Sequence, residues 1–257
     1  MIIKHIQFKT LLCLVTPLVI ACIPNASHAQ EVAEKKTIAP DSSELLKKGN
    51  TWTYAVSIQI PEDVKFESKL KDKGKKTKTG MIFKYEQIQQ STGLTEVAAL
   101  ERLAPQINIF IEANLTKKQI LEYRDGALLY YGTYNHDPKN PDSKKGMISV
   151  NPILLYNEGS KVADKWSWAA TGLPDFQFRV TAKETEVEVQ GTKYVVDKVQ
   201  MDQVKKGSKH IIQSKEIWFA KGVGIVKERE KSYIRDGKAI IKTLELKSFK
   251  NRPIIEK

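Results

Sequence analysis

From Thr51 to Phe249 apolar residues recur at every second position, and this period most constrains what the chain can fold into. Trp52, Tyr54, Val56, Ile58 and Ile60 alternate with Thr, Ala, Ser and Gln. Residues 177–189 repeat the pattern, with Phe178, Val180, Val187 and Val189 set against Gln, Arg, Lys and Glu. A period of two sends successive side chains to opposite faces, so each segment reads as a strand hidden on one side. Further strands are expected over 81–90, 95–103, 107–113, 119–123, 127–131, 166–169, 194–201, 210–219, 224–233 and 239–249. Arg124-Asp125-Gly126 is a hairpin turn, because Asp-Gly tolerates the positive φ that such turns need. Gln190-Gly191, Lys206-Gly207 and Asp236-Gly237 separate later strands. Connections this short permit only antiparallel neighbours. The expected fold is mainly β: a large twisted antiparallel sheet, either an open half-barrel or two related meanders, with one or two short helices.

The first 29 residues carry a different signal. Lys4 and Lys9 give a basic start, 11–23 is an apolar run too short to span a bilayer, and Ser27-His28-Ala29 has small residues at −3 and −1 of a cleavage site. This is the pattern of a secretory signal peptide and predicts a periplasmic or extracellular protein. A second reading competes with it. Val19-Ile20-Ala21-Cys22 fits a lipoprotein cleavage site, which would leave Cys22 acylated and the protein anchored to the membrane. Both cysteines, Cys13 and Cys22, lie in this segment, so the mature chain has no disulfide framework, cysteine nucleophile or thiolate metal site. No later apolar run reaches the ~20 residues of a membrane helix.

The remaining chain divides into a polar tether (30–50), an N-terminal β half (51–134), a linker and entry segment (135–161), a C-terminal β half (162–250) and a tail (251–257). In the tether, Asp41-Ser42-Ser43 can cap a helical turn at 44–48. Residues 135–146 hold two prolines and almost nothing apolar, which marks a linker; 147–156 is apolar but broken by Pro152, and reads as a short helix or entry segment. The two halves echo one another. Trp52-x-Tyr54 resembles Trp166-x-Trp168, and 93–103 lies over 191–201 without a gap.

Glu216-Ile217-Trp218-Phe219-Ala220-Lys221-Gly222-Val223-Gly224-Ile225-Val226-Lys227 is a strand, a tight glycine turn and a second strand. With Gly49-x-x-Trp52-x-Tyr54 and Leu244-Glu245-Leu246-Lys247-Ser248-Phe249, it resembles uncharacterised bacterial exported proteins and lipoproteins carrying a Trp-Phe-Ala-x-Gly-Val-Gly-x-Val-Lys hairpin. Lys221 stands where those sequences often have Pro, and the likeness covers mainly 162–249. It implies a twisted antiparallel sheet, curved like the lipoprotein-carrier fold, and brings no catalytic residues with it.

The chain carries 42 Lys plus Arg against 30 Asp plus Glu, and removing Lys4 and Lys9 leaves 40 against 30. Such a basic exported protein is drawn to anionic envelope surfaces. Residues 65–79 hold seven lysines, among them Lys69, Lys71, Lys73, Lys75, Lys76 and Lys78, and read as a solvated cationic hairpin tip. No aromatic follows Phe66 in that run, so the stacking expected for specific nucleic-acid binding is missing. After cleavage only His136 and His210 remain; neither has a partner at metal-ligand spacing, and no Gly-x-Ser-x-Gly elbow is present. No cofactor is implied. Trp52, Tyr54, Trp166, Trp168 and Trp218 are the candidates to line a concave, ligand-binding face. The leading reading is a non-catalytic envelope protein that binds an apolar, amphipathic or anionic envelope ligand. The alternatives are a glycan hydrolase working through paired carboxylates, which space rather than spacing defines, and an accessory subunit that recognises a protein partner along a sheet edge.

Overall fold

The computed structural model describes residues 45–62, 64, 75–77, 80–94, 108–112, 117–137, 140–171, 173–234 and 237–251. The expected signal segment with Cys22, residues 30–44 of the expected tether, the strand expected at 95–103, and Lys69, Lys71, Lys73 and Lys78 lie outside them.

Among the described residues thirteen strands are formed: β1 (Thr51–Pro61), β2 (Lys75–Thr77), β3 (Gly80–Leu94), β4 (Asn108–Glu112), β5 (Lys117–Arg124), β6 (Ala127–Asp137), β7 (Asn140–Asn157), β8 (Lys165–Trp168), β9 (Asp175–Val189), β10 (Thr192–Val204), β11 (Ile211–Ala220), β12 (Gly224–Tyr233) and β13 (Ala239–Lys250). They lie in the order β7-β6-β5-β4-β3-β1-β13-β12-β11-β10-β9-β8, with β2 paired to β3 beside this path. Every pairing is antiparallel. The order is that of two six-stranded meanders joined where the first strand of one, β1, pairs with the last of the other, β13. Trp52 and Tyr54 occupy the first strand of one meander, and Trp166 and Trp168 the first strand of the other.

The expected turns form as the chemistry requires. Asp125 and Gly126 have φ of 51° and 76°, and Gln190 and Gly191 have 51° and 80°, the paired positive values of a two-residue hairpin. At Gly80 (φ 133°) a Cβ would stand 1.9 Å from the Ile60 carbonyl oxygen, so the β1–β3 pairing has room there for glycine alone.

Two expectations are corrected. In the range expected as a linker, residues 135–137 belong to β6 and 140–146 to β7; nor is 147–156 helical, since it belongs to β7. β7 is an end strand of the sheet, where a proline removes no ladder bond, and this is why Pro152 is tolerated. At 45–50 the chain makes turns rather than a helix. Asn50 Nδ2 donates to Leu45 O (3.1 Å), and Ser91 Oγ donates to Leu46 O (2.7 Å).

The sheet curls so that its first meander lies over the inner face of the second. Tyr156 of β7 stacks on Phe219 of β11 with ring centroids 4.4 Å apart, and Tyr54 Oη donates to Ile225 O at 2.9 Å. Trp52, Tyr54, Val56, Leu121, Phe178, Val199, Ile217, Phe219, Leu244 and Phe249 fill the space between them as one buried cluster.

Candidate functional site

The inner face holds four of the five aromatic candidates, and it is filled. Trp52 and Tyr54 have no exposed surface. Trp52 packs against Phe249 at 5.2 Å, Trp166 stacks on Phe178 at 5.3 Å, and Trp168 meets Phe176 edge-on at 5.8 Å. Trp166 and Trp168 also join the ends of the sheet. Their indole N–H groups donate to the Leu154 and Asn151 carbonyls of β7 at 2.7 and 3.0 Å. No ladder connects β7 and β8, so the sheet is not closed into a barrel; side chains alone bridge its ends.

A polar network continues this seam. Asp197 accepts from Tyr156 Oη (2.6 Å), Lys183 Nζ (2.5 Å) and the Glu184 amide (2.9 Å), and Lys183 also donates to Glu158 O (2.9 Å). Glu184 sits at a bulge with φ 50°, which turns its amide toward Asp197. Burial, then the bond to Asp197, pushes the Tyr156 phenol far above its ordinary range. The phenol is therefore a fixed donor, and the network reads as a brace between the meanders.

Deeper on the inner face lies a buried ionic cluster that sequence reasoning did not find. Lys215 of β11 stands 3.1 Å from Glu228 and 3.3 Å from Glu230 of β12, with side chains 6%, 0% and 8% exposed. Lys215 has the same parity as Ile217 and Phe219, and that parity was the available signal. Burial lowers its pKa, but the two carboxylates outweigh this and hold the ammonium above the usual lysine value. Two carboxylates share one cation, and burial raises the Glu228 carboxyl. Tyr130 of β6 approaches from the covering meander, its hydroxyl 2.6 Å from Thr133 Oγ1.

Trp218 is the exception among the aromatics. By strand parity it lies on the outer face, half-buried and packed against the hydrophobic cluster, with Lys198 Nζ 4.6 Å and Lys227 Nζ 6.0 Å from its ring centroid. The same face holds an open cleft of about 420 Å³, lined by Ala55, Ser57, Thr243, Lys84, Glu86, Glu245, Lys247 and Gln190. Its acids are taken up: Lys247 pairs with Glu86, while Glu245 accepts from Lys227 (2.6 Å) and Gln190 Nε2 (2.8 Å). Lys84 is exposed and enters no ion pair among the described residues. Of the lysine run, Lys75 and Lys76 lie on β2, paired in register with Ile82 and Met81 of β3, close in sequence to Lys84.

Glu184, Glu186 and Glu188 are exposed on β9, with Glu186 salt-bridged to Lys193 at 2.7 Å. Among the described residues no group of three or more His, Cys, Asp or Glu is placed to hold a metal ion, and no helix is long and apolar enough to cross a membrane.

By fold this chain is an open, curled antiparallel β-sheet protein. No family model and no curated protein matches it. Among solved structures, a DUF1329 family protein from Desulfovibrio piger ATCC 29098, determined at 1.75 Å resolution, aligns over 81% of this chain and 88% of its own. The two are 10% identical with a TM-score of 0.27, a likeness too low to carry any argument about this chain.

Proposed function

We propose that this chain is an exported, non-catalytic envelope protein that binds an anionic envelope component on the outer face of its sheet. The observation that carries the reading is the division of labour between the two faces. The inner aromatics are occupied with one another, whereas the outer cleft has small residues on its floor and a cation, Lys84, without an ion-pair partner among the described residues. The excess of basic residues supports the same reading, because long-range attraction draws a basic protein to an anionic surface. One close carboxylate pair among the described residues, Glu228 and Glu230, is buried beside Lys215, where a glycan cannot reach it.

Fractionation of native cells followed by mass measurement tests export and shows whether the mature chain starts after Ala29 or at an acylated Cys22. Retention on anionic and neutral envelope preparations tests the binding. Salt-sensitive retention by the anionic preparation alone is the expected result; equal retention by both contradicts the reading.

A further inference from the structure

Strand register places a line of cations across the outer face. Lys84 of β3 pairs with Ser57 of β1, Ser57 with Thr243 of β13, and Thr243 with Arg229 of β12. Arg229 pairs with Glu216 of β11, Glu216 with Gln200 of β10, Gln200 with Arg179 of β9, and Arg179 with Lys165 of β8. One row thus crosses eight strands. At about 4.8 Å per strand it is roughly 34 Å long, and about 14 Å separates Lys84 from Arg229 and Arg229 from Arg179. Lys84, Arg229, Arg179 and Lys165 are all exposed, and none enters an ion pair among the described residues.

Most of the acids nearby are already paired with lysines; Asp202 is the exception, keeping its charge among neutral donors. Glu216, within the row, is held by Lys198 at 2.5 Å. Glu86 and Glu245 in the adjacent row are paired with Lys247 and Lys227, and Asp202 accepts from Ser214 Oγ and Gln200 Nε2. Between the cations stand Ser57 and Thr243, whose hydroxyls can donate to an anion without bulk, and Gln200, whose amide N–H groups are taken by Asp202 and Ser214.

From this geometry we infer that the row is a track for a linear polyanion lying across the strands, and that Lys84 holds the polymer where it enters the cleft. The inference rests on the reading of the outer face as an anion-binding surface and names the ligand class. The two arginines take phosphate, sulfate or carboxylate groups bidentately, and the lysines at the ends act as point charges. A curled sheet presents its outer face as a convex line, which suits a flexible chain better than a flat bilayer.

Titration of the mature protein with linear polyphosphate of graded length tests this, with inorganic phosphate and anionic phosphatidylglycerol vesicles as parallel arms. Affinity is expected to climb with length until the chain covers the row and then level off, with inorganic phosphate far weaker. Reversing Arg229 and Arg179 to Glu, with the lysines of 65–79 intact, is expected to cost about fivefold per residue. Each reversal is also expected to reduce the salt slope by about one. Circular dichroism and the urea midpoint verify that the variants fold. Length-independent binding, or polyphosphate binding unchanged in the double variant, overturns the track. Binding to the vesicles but not to polyphosphate overturns it too, yet leaves the anion-binding reading standing; binding to neither removes both.

Discussion

Lys215 is buried between two carboxylates, and removing it alone strands both charges. Lys215→Ala is therefore expected to cost about 3–5 kcal/mol in urea unfolding, whereas converting Lys215, Glu228 and Glu230 together to apolar residues of similar volume is expected to be near neutral or stabilising. The folded-state pKa of Lys215 is raised, so the stability it lends is complete below the ordinary lysine value and is lost as pH rises through the raised one. Unfolding midpoints across the alkaline range check this: the triple apolar variant should lose less than the natural chain. The cluster could be read from parity only by accepting charged residues on a core-facing position, because Gln213, Lys215, Ile217 and Phe219 share one face. Trp218 was illegible for the opposite reason. It sits in the unbroken apolar run Ile217-Trp218-Phe219, where period two does not say which ring points inward.

Among the elements, β1, β3 and β9 to β13 were legible because one face is buried and the other wet, which imposes alternation. β7 was not, since an end strand escapes that constraint and admits prolines and polar runs. The register of eight strands, and with it the cationic row, is absent from any single segment and emerges only on pairing. Two predictions belong to this scale. Gly80→Ala forces a side chain against the Ile60 carbonyl and should destabilise by more than about 1 kcal/mol, read from the denaturant midpoint. Trp168→Phe keeps an aromatic ring but deletes the donor to Asn151 O, at a cost of about 1 kcal/mol. Hydrogen exchange should then quicken in β8 and the end of β7 while β1 and β13, at the centre of the sheet, keep their protection.

At the scale of the whole molecule the two faces differ in character. The inner one supplies the core that a chain with no cysteine after Cys22 must rely on, and the outer one is left to carry charge. This arrangement predicts that ligand is sensed from outside. Trp218 lies in the row next to the cationic track, while Trp52, Trp166 and Trp168 belong to the inner face. The most direct measurement is tryptophan emission of the mature protein during titration with linear polyphosphate, repeated on Trp218→Phe and Trp52→Phe. A spectral change that vanishes in Trp218→Phe and persists in Trp52→Phe is the predicted result; a change that survives loss of Trp218 and disappears with Trp52 would place the ligand inside the sheet and contradict the account.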